Sequence, residues 1–382
     1  MSKEELDEIR FSGIGEMFNL ANRIGGDLIR FETGDVDFAT PAHIVESATE
    51  QLHNGLTHYA PYKGYDTLRQ AIVNKLALKN RITKSLEDIL VTSGGSGALY
   101  LAFQALLSEG DEVIISNPSW PHFAEMIRLA GGVPVEAPFI SRDGREFDSA
   151  ILENAITSKT RIILVNSPHN PSGAVLNKKD LREIAAIAEK CGATVLSDEV
   201  YESFVFDSNE HESIATISDN VVSVYSFSKT YAMCGWRLGY ISANPILVER
   251  MTKLNLYSVT CIPPFIQLAG LAALEGDQTC VYEMVHAYQK RRDQLVTGLN
   301  AIPGVKCPSP RGSVYVWPDI SYYGDSRNVA KQLVEKAKCV TVPGCVFGSN
   351  GEGRLRLSLS LDEAKIAKGI ARLGEGLQSI AV

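Results

Sequence analysis

Short, almost wholly apolar runs recur through the middle of this chain, and polar residues and then a helical periodicity follow each of them. Runs that are short and apolar on both faces are typical of strands covered on both sides, as in a mostly parallel sheet. The pattern therefore predicts an α/β fold whose mostly parallel central sheet is flanked by helices. The runs are DEVIIS (111–116), TRIILVN (160–166), ATVLSD (193–198), VVSVYS (221–226) and LGYIS (238–242).

Helical stretches separate these runs, and the last of them stops at Gly192, as a helix end should. The C-terminal third differs, because a long helix (280–302) leads to a strand-like SVYVWPDI (313–320), a helix (328–338) and an alternating RLRLSLS (354–360). This order predicts a smaller α+β unit. The earlier helical stretches are 97–110, 122–132 and 178–192.

The length of 382 residues exceeds one ordinary core, so two domains are expected. The first 45 or so residues lack a core of their own and must pack on another part of the chain. We therefore predict an N-terminal arm that belongs partly to the small domain (1–45), a large ligand-binding domain (46–280) and a small C-terminal domain (281–382).

Polar and aromatic side chains follow the ends of four predicted strands. In an open α/β sheet, ligands bind outside the carboxyl ends of the strands. We therefore expect an indole, an amide, a carboxylate, a phenol, hydroxyls and an amine along one edge of the sheet. The residues are Trp120 in NPSW, Asn170 in SPHNPSG, Asp198 and Tyr201 in SDEVY, and Ser226, Ser228 and Lys229 in SFSK.

Lys229 and Arg237 are the only charged residues in the stretch SVYSFSKTYAMCGWRLGY, which otherwise looks suited to burial. A buried ammonium and guanidinium are costly unless an anion reaches them from elsewhere. The segment VTSGGSGALYLAF (91–103) reads as a strand end, a glycine-rich turn and a helix start. Such a turn offers free backbone N–H groups and a positive dipole end to a phosphate.

A phosphate placed between Ser96, Ser226 and Arg237 would supply the missing anion. An amine such as that of Lys229 typically forms a Schiff base with an aldehyde in a site of this kind. A phosphate and an aldehyde on one molecule, with a carboxylate to hold a ring nitrogen, describe pyridoxal 5'-phosphate.

Over nearly its whole length, from ETGDVDF (32–38) to RLRLSLS, the chain resembles the class I/II, fold-type I pyridoxal-phosphate-dependent aminotransferases. The branch is the one that contains the prokaryotic aspartate aminotransferases. SFSKTYAMCGWRLGY is the specific signature, and SPHNPSG and SDEVY support it independently. Taken singly, each motif has a structural explanation: Asp198 could cap a helix, Trp120 could pack in a core, and Arg356 could face solvent on a strand. Their occurrence together and in order favours a site.

The resemblance implies a role for each matching residue. Lys229 would carry the cofactor as a Schiff base and move the proton between Cα and the cofactor, and Asp198 would hold the pyridinium nitrogen. Arg356 would grip the substrate α-carboxylate by a bidentate fork beside the Gly34 backbone. The other implied contacts also involve the cofactor. Its phenolic oxygen would bond to Asn170 and Tyr201, its ring would stack on Trp120, and its phosphate would contact Gly95, Ser96, Ser226 and Arg237. Tyr59 would reach the phosphate bound by the neighbouring subunit. Trp120 and Asn170 would also contact the substrate.

The contact through Tyr59 implies a homodimer with shared active sites. The net charge of −8 argues against a nucleic-acid partner and against an anionic membrane surface. No run approaches the length of a membrane span, and the start MSKEELDEIRF is too acidic for a signal peptide. Seven scattered cysteines without a CxxC pair indicate free thiols in a reducing cytoplasm and no metal site.

The expected reaction is a two-half transfer of an amino group from an L-amino acid, for which aspartate is our best guess, to a 2-oxo acid such as 2-oxoglutarate. Some bacterial aspartate enzymes of this branch carry a lysine where this chain has Ser96, so aromatic, alanine and branched-chain donors stay open. A C–S β-lyase on the same cofactor is an alternative, and a non-enzymatic pyridoxal-binding regulator is a remote one. Some relatives place a histidine behind the aspartate, and His122 lies near that position without a secure register.

Overall fold

The computed structural model describes residues 6, 7, 9 and 11–380, so the first part of the predicted arm lies outside the described residues. The strands are β1 (Ile29–Arg30), β2 (Ile89–Thr92), β3 (Glu112–Ser116), β4 (Val133–Ala137), β5 (Thr160–Asn166), β6 (Thr194–Asp198), β7 (Val221–Ser226), β8 (Gly239–Ser242), β9 (Tyr315–Val316), β10 (Cys339–Val340), β11 (Val342–Pro343) and β12 (Leu355–Ser358).

The helices separate these strands and cover the sheets. They are α1 (Gly13–Ile24), α2 (Ala42–His53), α3 (Asp66–Asn80), α4 (Gly94–Leu106), α5 (His122–Leu129), α6 (Ser149–Asn154), α7 (Lys178–Cys191), α8 (Phe227–Thr230), α9 (Pro245–Ser258), α10 (Pro264–Glu275), α11 (Thr279–Asn300), α12 (Ser326–Ala337) and α13 (Glu363–Gln378). Among the described helices, none is both long and apolar enough to cross a lipid bilayer.

The central sheet has seven strands in the order β2-β8-β7-β6-β5-β3-β4. The strands β3 to β7 pair in parallel, whereas β8 runs antiparallel to both of its neighbours, β2 and β7. The sheet is therefore mixed and mostly parallel, which confirms the predicted fold class. The five predicted strands are all present, and two of them, at 160–166 and 221–226, have the predicted bounds.

Both faces of this sheet are buried, which is the physical reason for its continuously apolar strands. On one face, side chains of α4 and α9 pack with residues such as Val113, Leu164 and Val224 in one cluster. On the other face, α7 packs against residues such as Ile163 and Val195. Successive residues of a strand are thus buried on opposite faces of the sheet.

Two segments differ most from the prediction. Helix α4 begins at Gly94 and ends at Leu106, not at 97–110, because close packing places the glycines in the helix in spite of their low propensity. A side chain on Gly95 would meet Val200 Cγ1 at 2.9 Å. The predicted strand over 313–320 shrinks to Tyr315–Val316. Ser313 has a positive φ of 68° before it, and Pro318 after it has no N–H to donate to a ladder.

The C-terminal part forms a second, smaller layer. Strands β11, β12 and β9 make an antiparallel sheet, and β1 pairs in parallel with β10. Met17, Ala21 and Phe31 from the N-terminal part belong to the same hydrophobic cluster as residues of α12 and α13. The N-terminal segment thus packs on the C-terminal part, but the domain boundaries at 45 and 280 stay a prediction.

Candidate active site

A cavity of about 340 Å³ opens at the carboxyl edge of the central sheet, where residues of β9 and β12 close it from the side of the smaller layer. Of the twelve residues that the sequence places in a site, eleven line this cavity, and Tyr59 is the exception. The eleven are Gly34, Gly95, Ser96, Trp120, Asn170, Asp198, Tyr201, Ser226, Lys229, Arg237 and Arg356.

Asp198 is the last residue of β6 and is only 3% exposed. Its carboxylate accepts a hydrogen bond from the backbone N–H of Val200 at 3.3 Å. Burial raises the pKa of Asp198 to about 7, the Val200 bond opposes this rise, and the charge of Glu199 adds to it. Asp198 is thus a buried acid that gains from a cationic partner in the cavity.

Lys229 lies in the short helix α8 directly after β7, whose last residue, Ser226, caps that helix. The Lys229 Nζ donates to the carbonyl oxygen of Gly34 at 2.5 Å and lies 3.4 Å from the Cys234 Sγ. Both partners are uncharged. A side chain on Gly34 would collide with the Tyr315 hydroxyl, so only glycine fits at this position beside the amine.

Arg237 adopts a left-handed backbone with φ of 56°, and its Nη1 donates to the Cys234 carbonyl at 2.9 Å. Its side chain is exposed to the open cavity, so the expectation that it would be buried is wrong. The guanidinium lies against the start of α4, since a side chain on Gly94 would meet its Nη2 at 2.6 Å. A guanidinium and the positive end of a helix dipole therefore converge on one place, as an anion requires.

Arg356 is 1% exposed on β12, so the alternative of a solvent-facing strand residue is excluded. Its Nη2 donates to the Glu32 carbonyl at 2.8 Å and its Nη1 to the Asn170 side-chain oxygen at 3.3 Å. The Nε is buried without a hydrogen-bond partner among the described residues. The guanidinium also lies over the ring of Tyr315, 4.1 Å from its centroid. The guanidinium is thus held in place by its neighbours and is not fully hydrogen-bonded, so it is suited to bind a carboxylate.

The sequence analysis missed Tyr315, whose side chain contacts both Arg356 and Tyr201. Its hydroxyl lies 3.2 Å from that of Tyr201, and the pKa of Tyr201 is raised well above its ordinary value by burial and by this neighbour. Tyr315 belongs to a two-residue strand of the smaller layer, so no pattern in the sequence marks it. The other unpredicted lining residues are Ile14, Asp35, Leu99, Asn166, Val200 and Cys234, of which Asn166, at the end of β5, could have been found by its position.

His122 has no hydrogen bond to Asp198 among the described residues. Its ring stacks instead on the indole of Trp120, with centroids 4.3 Å apart and planes 16° from parallel. His169, in contrast, is fully buried between the hydroxyls of Ser116 and Ser172, at 2.9 and 2.7 Å. His169 is therefore held by its neighbours on both ring nitrogens.

Tyr59 is 86% exposed and lies outside the cavity of its own chain. The backbone N–H of Ala60 donates to the thiol of Cys261 at 3.3 Å, so Tyr59 lies beside the end of α9. Tyr257, on α9, is 89% exposed. Two large aromatic side chains are thus exposed in neighbouring segments.

Comparison with known proteins yields consistent similarities. The family model for aminotransferase class I and II matches residues 26–373. A probable aspartate/prephenate aminotransferase of Aquifex aeolicus is 38% identical, over 93% of this chain and 92% of that protein. Among solved structures, the aromatic aminotransferase of Pyrococcus horikoshii aligns with a TM-score of 0.90 and 38% identity, over 96% and 99% of the two chains. The aspartate aminotransferase of Thermus thermophilus with maleate aligns with a TM-score of 0.93 and 34% identity, over 98% and 99%.

Proposed function

Because the chain belongs to the class I and II aminotransferases, we propose that it transfers the amino group of L-aspartate to 2-oxoglutarate at the cavity described above. That it is a pyridoxal-phosphate-dependent transaminase follows from the family. The observation that carries the proposal is that one cavity joins an amine, a buried carboxylate and two guanidinium groups, from Lys229, Asp198, Arg237 and Arg356.

The chain's residues fit the cofactor. We propose that its phosphate lies between Arg237, the hydroxyl of Ser226 and the first N–H groups of α4, where cationic and dipolar groups converge. We propose that Asp198 faces the ring nitrogen, since a buried carboxyl gains most from a proton donor or cation. Trp120, on the cavity wall, offers a flat face for the ring.

When bound, the cofactor supplies an electron-withdrawing ring that stabilises negative charge at the substrate Cα. We propose that Lys229 holds the cofactor covalently and moves the proton at Cα, because its flexible stem and half-buried position let the amine swing within the cavity. Asp198 would keep the ring nitrogen protonated. Arg356 would hold the substrate α-carboxylate, so that Cα stays within reach of Lys229.

Replacing Asp198 with asparagine should stabilise the cofactor-free protein at pH 8. The pKa of Asp198 is about 7 in the folded protein and near 3.8 in the unfolded chain. The free energy of unfolding of the wild type therefore falls as pH rises from about 4 to about 7. The loss amounts to at most about 4 kcal/mol, which the amide avoids. Thermal unfolding should therefore give a higher Tm for the variant at pH 8 and nearly equal values at pH 4. Asp219→Asn, on the exposed surface, is the matched control and should change neither Tm; a variant less stable than wild type at pH 8 would contradict the assigned burial effect.

A second candidate donor is an aromatic amino acid. Trp120, Leu99 and Ile14 contribute apolar surface to the cavity, and Ser96 stands where some aspartate enzymes of this branch carry a lysine. The aromatic aminotransferase of Pyrococcus horikoshii supports this candidate, and the aspartate enzyme of Thermus thermophilus supports the first.

A panel of amino donors tests both candidates. Aspartate, phenylalanine, tyrosine, alanine and leucine are each supplied with 2-oxoglutarate, and glutamate formation is followed. We expect the highest kcat/KM with aspartate, with measurable turnover of the aromatic donors. A kcat/KM for alanine or leucine above both would overturn the proposed donor. Cystathionine without an oxo acid serves as a control, because pyruvate and ammonia from it would indicate a β-lyase.

We also propose that the active unit is a homodimer. Exposed aromatic side chains at Tyr59 and Tyr257 support this, because apolar surface that clusters on one face marks an interaction site. The seven cysteines, all of them described, form no disulfide, and on this basis we propose that the enzyme works in the reducing cytoplasm.

Light scattering should therefore give a mass twice the 41.6 kDa of one chain. If Tyr59 bonds to the phosphate bound by the other subunit, Tyr59→Phe should weaken cofactor binding by about 10- to 100-fold, the range expected for one hydrogen bond to a charged group. The control is Tyr322→Phe, an exposed tyrosine of the C-terminal part. A monomer with full activity would rule out shared sites.

A further inference from the structure

His122, which the reaction proposed above does not use, lies in the wall of the active-site cavity. It is the first residue of α5, and its ring stacks on Trp120 at a centroid distance of 4.3 Å. Trp120 is in turn packed edge-on against the ring of Phe123, at 5.2 Å and 87°. The imidazole is thus held in a fixed plane at the cavity surface by its aromatic neighbours.

The Nδ1 of His122 is removed from solvent and has no hydrogen-bond partner among the described residues. The Nε2, in contrast, is not buried and has no hydrogen bond to a described residue, so it is the ring nitrogen that a ligand in the cavity can reach. Arg356, which is proposed to hold the substrate α-carboxylate, lines the same cavity, and its charge acts on this ring. His122 therefore lies in the cavity where the substrate is proposed to bind.

The cationic groups in the cavity are otherwise assigned. Lys229 and Arg237 are proposed for the cofactor and Arg356 for the α-carboxylate. Among the described lining residues, His122 is the remaining side chain that can take up a positive charge. The described lining residues of one chain therefore offer no other counter-ion to a substrate side chain that ends in a carboxylate.

We propose that His122 forms part of the subsite for the substrate side chain, and that uptake of a proton by its ring lets this subsite accept a carboxylate as well as an aromatic side chain. The inference rests on the proposed function. The neutral ring offers a flat apolar surface to an aromatic side chain. The protonated ring offers a charge-assisted hydrogen bond to a carboxylate.

The surroundings of the ring support this behaviour. Burial and the charge of Arg356 lower the pKa of His122 below its ordinary value of 6.5, so the ring of the free site is neutral near pH 7. A carboxylate brought beside it favours the charged form and raises that pKa. Binding of an acidic substrate therefore takes up a proton, whereas binding of an aromatic one does not.

Other charged and titratable groups surround the ring. Glu125, on the same helix, is paired with Arg128 at 2.8 Å. The remaining groups face the cavity from other elements, and they are common to wild type and to a variant at position 122. They are Asp35, Asp198, Tyr201, Lys229, Cys234, Arg237, Tyr315 and Arg356.

The test compares two non-reacting ligands of the holoenzyme, the dicarboxylate maleate and the monocarboxylate 3-phenylpropanoate. Isothermal titration calorimetry in buffers of different ionisation enthalpy gives the dissociation constant and the number of protons taken up. Between pH 7 and 8.5 the dissociation constant of maleate should rise by up to tenfold per pH unit, with uptake of up to one proton more than for 3-phenylpropanoate. The dissociation constant of 3-phenylpropanoate should show no such extra dependence.

Glutamine at position 122 keeps hydrogen-bonding capacity but cannot titrate near neutral pH. H122Q should therefore abolish the difference in proton uptake and weaken maleate binding by about 10-fold or more at pH 7, with less than a threefold effect on 3-phenylpropanoate. H286Q, at an exposed histidine of α11, is the matched control and should behave as wild type.

The inference is overturned if wild type takes up the same number of protons with both ligands, or if H122Q keeps the difference. The readout is binding, so it decides the inference even if the donor panel refutes the proposed substrates. If the variant folds poorly, as judged by its circular dichroism, the wild-type comparison of the two ligands decides alone.

Discussion

Replacing Lys229 with alanine is expected to reduce the rate of transamination by at least about 10⁴-fold, while the protein stays folded and keeps some affinity for the cofactor. The size follows because the substitution removes both the covalent attachment and the group that moves the proton, and proton transfer alone contributes about 10²- to 10⁴-fold. The fold should tolerate the change, since among the described residues the Nζ hydrogen-bonds only to a carbonyl and a thiol at the cavity surface. Steady-state assay with aspartate and 2-oxoglutarate measures the loss.

The control is Lys179→Ala, at a lysine whose side chain is 84% exposed, which should leave activity unchanged. Borohydride reduction of the wild-type holoenzyme, followed by peptide mapping, should place a pyridoxyl group on the peptide that contains Lys229. Near-normal turnover by Lys229→Ala, or an adduct on another peptide, would refute the role assigned to this residue.

The second large effect is expected for Arg356→Lys, which should raise the KM of the amino donor by about 10- to 100-fold with a smaller change in kcat. A planar guanidinium can bond a carboxylate through two parallel N–H groups, whereas an ammonium is a point charge. Loss of one hydrogen bond to a charged group costs about 1.5–3 kcal/mol, which corresponds to that range. The lysine also cannot lie flat over the ring of Tyr315, as the guanidinium does.

Arg354, directly before β12, provides a matched control. It is also buried, but its Nη1 donates to the carbonyl of Trp317 at 2.9 Å, and it does not line the cavity. Arg354→Lys should therefore lower thermal stability without changing KM. An unchanged KM in Arg356→Lys, or an equal rise in both variants, would mean that the substrate carboxylate binds elsewhere.

The residues at strand ends were predictable because two simple rules combine. A run that is apolar on both faces predicts a buried strand, and parallel strands bring their carboxyl ends to one edge. Asp198 and Ser226 end two such strands, and Lys229 follows one of them, so their meeting in one cavity follows from local pattern. The family resemblance then added Arg356 and Gly34, which no spacing rule would have brought to this edge.

The errors came from places where tertiary packing overrides local pattern. Arg237 was expected to be buried because its neighbours in sequence are apolar, yet it faces the open cavity, since a left-handed backbone turns it away from them. The strand predicted over 313–320 is cut short by backbone conformation at Ser313 and by Pro318.

The sequence by itself determined where the main strands lie along the chain, which residues follow their ends and the family to which the chain belongs, because these depend on patterns within a few residues. Only the tertiary structure decided that Tyr315 lies under Arg356 and beside Tyr201, and that His122 stacks on Trp120. Tyr315 and Tyr201 are 114 residues apart, and a contact over such a separation arises from how the smaller layer packs on the sheet. Side-chain orientation of this kind is set by neighbours in space, which one-dimensional periodicity does not encode.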